Sequence, residues 1–285
     1  MILVAYSGTE SHNALHWAAQ HALRCGQALT ILTVINLPRT LYDEAMGVPP
    51  EFVEAATALL DEAVGYAKDL GVSDIETQVG YRDITGAIVE MSREADLVVV
   101  GNRGKGETAS TLLGSVAYAV TSHAACPVVV IRDHEGSQWS TDGPVVVGID
   151  GSRSGVHAGF FAAEYAQQAG LPLEVVGVWD VGGIGHLSAE FAARVGVQEL
   201  HSKEEAKMQG WVDQAVQVLP ERFPDVEVTG RVERGSPVVV LRDAAQHASL
   251  LVVGTRGRGG FAGLLLGSVS HRIIHDAGCP VAVIR

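Results

Sequence analysis

The chain repeats itself, and the repeat dictates its architecture. Residues 98–116 read VVVGNRGKGETASTLLGSV and residues 251–269 read LVVGTRGRGGFAGLLLGSV. In each, a Val-rich run meets a glycine, then two residues, a glycine, nine residues and Gly-Ser. The glycines are Gly101, Gly104 and Gly114 in one copy, and Gly254, Gly257 and Gly267 in the other. Both copies end on Cys-Pro and a short apolar run, at Cys126-Pro127 and Cys279-Pro280, and all these pairs are 153 residues apart. The openings also match, ILVAYSGT over 2–9 and VVVGIDGS over 145–152. Self-similarity at a fixed offset means two copies of one domain.

The 285 residues divide into two domains of about 140 residues, each long enough for its own core. The expected boundaries are 1–132 and 144–285, with the polar segment 133–143 as linker. Apolar residues make up 47% and aromatic ones only 6%, so the cores are aliphatic, as in parallel sheets buried on both faces. The net charge of −13 argues against nucleic acid or an anionic membrane as partner. Up to Gly143 there are 8 basic against 18 acidic residues, and beyond it 12 against 15. No apolar run has the length of a membrane span, and the amino-terminal residues lack the pattern of a signal peptide, so the cytoplasm is the expected location. Three cysteines without a Cys-x-x-Cys pair make neither a disulfide framework nor a zinc site, and Cys126 and Cys279 read as packed side chains.

Along each half, strands alternate with helices. The first predicts strands at 2–6, 28–35, 75–81, 96–101 and 127–132. Its helices are expected at 11–25, 50–70, 83–93, where Asp83 caps, and from Ser115. The second predicts strands at 144–149, 172–179, 226–232, 250–253 and 280–284, with helices at 153–169, 190–218, 237–247 and 268–277. Ser236-Pro237 reads as an N-cap followed by a proline in the first turn. Five short strands joined by helical crossovers give an α/β doubly wound parallel sheet of order 3-2-1-4-5. Its ligands bind at the carboxyl ends of strands 1 and 4, where the strand order reverses. Ser7 or Asp150, and the glycine loop, fall at that point in each half.

Glycines bring backbone close to a ligand and allow positive φ, and Gly267-Ser268 opens a helix whose free N–H groups attract phosphate. Arg256 and Arg258 add positive charge, and Asp150 suits ribose hydroxyls or a magnesium ion. The bland alternative, that the glycines only shape a surface loop, is weakened because the spacing occurs twice.

The pattern resembles the universal stress protein family in its tandem-domain form, over essentially the whole chain. The family has Gly-x2-Gly-x9-Gly-Ser/Thr after strand 4, an Asp after strand 1 and Cys-Pro-Val before strand 5. The resemblance implies a flavodoxin-like fold, pairing of the two domains through their last strands, a homodimer of chains and ATP as bound nucleotide. It places ATP contacts on Asp150, Val178, Val253, Gly254, Arg256, Gly257, Gly267, Ser268 and Val269 in the second half. In the first they fall on Val34, Val100, Gly101, Arg103, Gly104, Gly114, Ser115 and Val116. Ser7 departs from the family Asp and carries no charge for a metal ion, so the first half is expected to bind more weakly.

Other motifs are weaker. The Gly-x-Gly pairs follow strand 4 rather than strand 1, unlike a dinucleotide fingerprint, and no Gly-Lys-Ser/Thr closes a phosphate loop. His12/His16 and His271/His275 are four apart but lack a third ligand, so they read as helix surface. Trp17, Trp179 and Trp211 read as packing residues. With no general base for attack on a γ-phosphate, the chain reads as a nucleotide-holding regulatory protein rather than an enzyme. An ATP-dependent adenylating or phosphotransfer enzyme and a nucleotide-free assembly module are the alternatives.

Overall fold

The computed structural model describes residues 1–37, 47–81, 83–102, 114–132, 140–180, 197–258 and 265–285. The chain forms two compact units, Met1–Gln138 and Trp139–Arg285.

In the first unit, β1 (Ile2–Ala5) is the central strand. It lies parallel between β2 (Leu29–Ile35) and β4 (Leu97–Gly101), with β3 (Ile75–Tyr81) beyond β2 and β5 (Val128–Ile131) beyond β4. The order is therefore 3-2-1-4-5, all parallel. The described helices are α1 (His12–Cys25), α2 (Pro50–Asp69), α3 (Ile84–Met91) and α4 (Ser115–His123). Ile2, Leu3, Val4, Val98 and Val99 are fully buried, the signature of strands covered on both faces. The edge strand β3 instead exposes Glu76, Thr77 and Gln78, a polar border that discourages further pairing.

The second unit repeats this plan. β6 (Val145–Ile149) lies between β7 (Leu173–Trp179) and β9 (Leu250–Gly254), with β8 (Val228–Arg234) beyond β7 and β10 (Val281–Ile284) beyond β9, again all parallel. Its described helices are α5 (Arg153–Ala169), α6 (Val197–Arg222), α7 (Pro237–Ala245) and α8 (Ser268–Asp276). Helices α1 and α5 both end on a left-handed glycine, Gly26 and Gly170, which turns the chain into the next strand.

Local signals explain most boundaries. Asp83 caps α3 by accepting from the Thr85 amide at 3.0 Å, and Ser152 caps α5 through the Gly155 amide at 3.1 Å. Ser236 holds the N-cap position of α7, yet its hydroxyl makes no capping bond, and Pro237 alone marks the start. The third strand of the second unit begins two residues later than expected, at Val228. The long helix runs past Pro220 to Arg222, where a stop at 218 was expected; the expected portion 190–196 lies outside the described residues. Tertiary packing overrides the proline, because Met208, Val212, Leu219 and the following Phe223 are all buried. Gly177 and Gly230 make room for this helix: a Cβ on either would come within 2.7 Å of Val212. The central strands β1/β4 and β6/β9 thus deliver Ser7 and Gly101, and Asp150 and Gly254, to one end of each sheet.

Candidate functional site

The returning glycine loop is anchored the same way in both units. In the first, the Asn102 amide donates to Ile131 O and the Gly114 amide to Asn102 O, each at 2.7 Å. In the second, Thr255 donates to Ile284 O and Gly267 to Thr255 O, also at 2.7 Å. Gly114 and Gly267 are the N-caps of α4 and α8, and neither helix has a side-chain cap. Their first N–H groups are therefore available to an anion.

The first unit holds a crevice of about 630 Å³ over the carboxyl ends of its strands. Val34, Val100, Gly101, Gly114, Ser115 and Val116 line it together with Ser7, while Arg103 and Gly104 lie outside the described residues. Leu37, Phe52, Leu59 and Ile84 give it an apolar wall. Ser7 is tied into its own turn: its amide donates to Ser11 Oγ at 2.7 Å, and Ser11 Oγ donates to Gly8 O at 3.0 Å. Tyr6, which also lines the crevice, has its phenol pKa raised by burial and then by the charge of Glu62.

In the second unit the loop closes on Asp150. Asp150 Oδ1 accepts from the Ser152 amide and Oδ2 from the Arg258 amide, both at 3.0 Å. Of the two properties expected of the loop glycines, the missing Cβ rather than positive φ is the one used here. None of Gly254, Gly257 and Gly267 has positive φ. A Cβ on Gly257 would lie 2.6 Å from Asp150 Oδ2, and one on Gly254 would lie 2.6 Å from Ser154 Oγ. At Gly267 it would be 3.2 Å from Thr255 O. Asp150, Gly254, Arg256, Gly257 and Gly267 therefore form one contiguous constellation. Val253 is buried at the end of β9, Val178 lies one residue from the end of β7, and Ser268 and Val269 open α8.

Several residues at this site carried no sequence signal. Trp211, on α6, fills the space where a side chain on Gly151 would stand, and Gly151 has φ +75°. The Arg258 guanidinium lies over the indole at 4.4 Å and 3.6 Å from Glu204, and Lys207 lies 5.3 Å from the same ring. Ser152 and Ser154 both donate to Arg256 O, at 3.2 and 2.6 Å. Only their place just after Asp150 hinted at them. On this side of the loop is a cavity of about 500 Å³, bordered by Arg153, His157, Arg256, Leu265 and Arg285. It touches neither Gly267 nor Ser268.

The remaining candidates settle elsewhere. The His12 ring packs at a tilt against Tyr66, with centroids 4.1 Å apart, and His16 Nδ1 lies 2.7 Å from the Tyr66 hydroxyl. His271 and His275 meet edge to face, with ring centroids 4.8 Å apart. Among the described residues no group of three His, Cys, Asp or Glu side chains is arranged to hold a metal. Trp17 and Trp179 are buried, as are Cys126 and Cys279, and burial pushes the Cys279 thiol up to about 12. No described helix is long and apolar enough to cross a membrane.

Residues 1–132 and residues 143–285 each match the universal stress protein family. The chain belongs to that family. It carries two tandem copies of the family's domain, in keeping with the repeated sheet and loop. A universal stress protein of Mycobacterium tuberculosis (strain H37Rv) is 35% identical over 297 residues, spanning 100% of this chain and 96% of its own length. Another from Mycolicibacterium smegmatis is 33% identical over 290 residues, spanning 98% and 94%. The crystal structure of a universal stress protein from Archaeoglobus fulgidus superposes with a TM-score of 0.69 at 21% identity, covering 100% of this chain and 95% of that one, and so shares the flavodoxin-like fold.

Proposed function

We propose that this universal stress protein binds an adenine nucleotide, ATP, at the carboxyl ends of its central strands, and holds it with little or no hydrolysis. The observation that carries this reading is the crevice of the first unit. One continuous space runs from an apolar wall at Val34, Phe52 and Leu59 to the uncapped amino end of α4 at Gly114 and Ser115. A flat apolar base and a triphosphate need that combination. In the second unit, Gly254, Gly257 and Gly267 supply the close backbone approach, and Asp150 faces the same loop. A magnesium ion would enter with the phosphates.

Holding rather than turnover is part of the same reading and rests on the family resemblance. Among the described residues bordering the first crevice, the sole titratable side chain is Tyr6, with its pKa raised. Cytoplasmic location belongs to the same reading, and pairing of chains into a homodimer rests on the family resemblance.

The test is to denature purified protein and identify the released nucleotide by mass spectrometry, then to follow ADP and AMP during incubation with Mg-ATP. We expect ATP to be released, with product formation near background. Absence of adenine nucleotide retention in equilibrium dialysis would overturn binding. Steady ADP or AMP production would overturn the non-enzymatic part.

A further inference from the structure

We infer that Ser154, supported by Ser152, is a positioning residue that aims the Gly257 amide at the nucleotide phosphate in the second unit. The inference rests on the ATP-binding reading. Both hydroxyls donate to one acceptor, the carbonyl of Arg256, at 2.6 Å from Ser154 and 3.2 Å from Ser152. This fixes the carbonyl towards the amino end of α5. No peptide bond in the described chain is cis. In a trans peptide the C=O and the following N–H point in opposite directions, so the Gly257 N–H is turned away from α5. Gly257 N donates to no acceptor among the described residues. The same peptide borders the N-cap of α8: a Cβ on Gly267 would lie 3.6 Å from Arg256 Cα and 3.8 Å from Gly257 N. An outward-turned amide beside an uncapped helix start is an anion-binding concavity.

Gly254 permits the arrangement, since any side chain there would strike Ser154. The first unit uses its corresponding serine differently. Ser11 spends its proton on Gly8 O within its own turn and accepts from the Ser7 amide. Replacement of the strand-end carboxylate by Ser7 is thus accompanied by a serine hydroxyl that is held within its own turn.

The experiment compares ATP with adenosine, which keeps the base and ribose but has no phosphate. Calorimetry is run on the full-length chain carrying Gly104→Glu to silence the first site, with Ser154 intact, Ser154→Ala or Ser154→Thr. We expect Ser154→Ala to weaken ATP binding about tenfold, as for one charge-assisted hydrogen bond, with adenosine affinity changed less than about twofold. Ser154→Thr, which keeps the hydroxyl, should restore ATP affinity. Equal losses for ATP and adenosine would show a merely structural role and overturn the inference. Unchanged ATP affinity in Ser154→Ala would overturn it and leave the nucleotide reading standing. If the Ser154-intact chain binds neither ligand, both readings fall together.

Discussion

The backbone amide of Arg258 donates to Asp150 Oδ2 at 3.0 Å across 108 residues of sequence. One carboxylate thereby ties the glycine loop to the end of the central strand. The Arg258 side chain continues the tie to α6, stacking on Trp211 and approaching Glu204. Trp211 in turn rests on Gly151, the residue after Asp150. Strand end, loop and long helix are therefore one mechanical unit.

Trp211 should report on that unit. Arg258→Ala removes a cation from the indole face, and we expect a shift in tryptophan emission that disappears in a Trp211→Phe background. The stability cost should be small, about 0.5–1 kcal/mol, because both partners of the ion pair are part-exposed and the cation–π contact is at the surface. An emission change of equal size in the Trp211→Phe background would show that the signal comes from another tryptophan.

The two nucleotide sites should be unequal. Ser7 offers a hydroxyl where Asp150 offers a carboxylate, and loss of one charge-assisted bond or metal contact costs on the order of 1.5–3 kcal/mol. That corresponds to roughly ten- to hundredfold weaker binding at the first site. Calorimetry on Gly104→Glu and on Gly257→Glu leaves one site in each protein. Equal Mg-ATP affinities in the two variants would show that the open first crevice compensates fully for Ser7.

Stability should fall in mild acid through His21. This side chain is buried on α1 against Trp17, and its pKa is lowered from 6.5 to about 4, first by burial and then by the charge of Arg24. Between those values the unfolded chain binds a proton that the folded chain refuses, so stability rises with pH. The full contribution is present above about pH 6.5, and about 3 kcal/mol is lost as pH falls towards 4. Urea unfolding at pH 7.5 and 5.0 should show a drop that His21→Gln reduces. Equal drops in both proteins would place the acid sensitivity elsewhere.

The sheet order was legible because the central strands β1, β4, β6 and β9 are runs rich in Val, Ile and Leu and because each half corroborates the other. The loop position was legible for the same reason, since Gly101 and Gly254 end matching strands. The reason for the glycines was not legible. Gly254 and Gly257 do not have positive φ, and the demand for a missing Cβ there comes from Ser154 and Asp150, which lie far away in sequence. Trp211 was invisible as a site residue because its partner is the bare backbone of Gly151, which no spacing rule connects to a distant helix. The end of α6 was placed four residues early because the helix continues through Pro220, where burial of Leu219 and Phe223 outweighs a local breaker.

The contact between Gly257 and Asp150 yields a prediction about coupling. A Cβ on Gly257 would stand 2.6 Å from Asp150 Oδ2, nearer than a Cβ and an oxygen tolerate. Gly257 does not have positive φ, so alanine meets no backbone penalty and the whole cost is this collision. To escape it the carboxylate must turn, which breaks its bond to the Arg258 amide. Gly257→Ala should therefore destabilise the second unit by about 1–3 kcal/mol, the usual range for overpacking a fixed site. In an Asp150→Ala background the oxygen is gone, and the same glycine replacement should cost less than about 0.5 kcal/mol. The difference is an interaction energy measurable by a double-mutant cycle in urea unfolding. If Gly257→Ala costs the same in both backgrounds, the approach of the carboxylate is not what requires glycine here, and the demand must come from the rest of the loop.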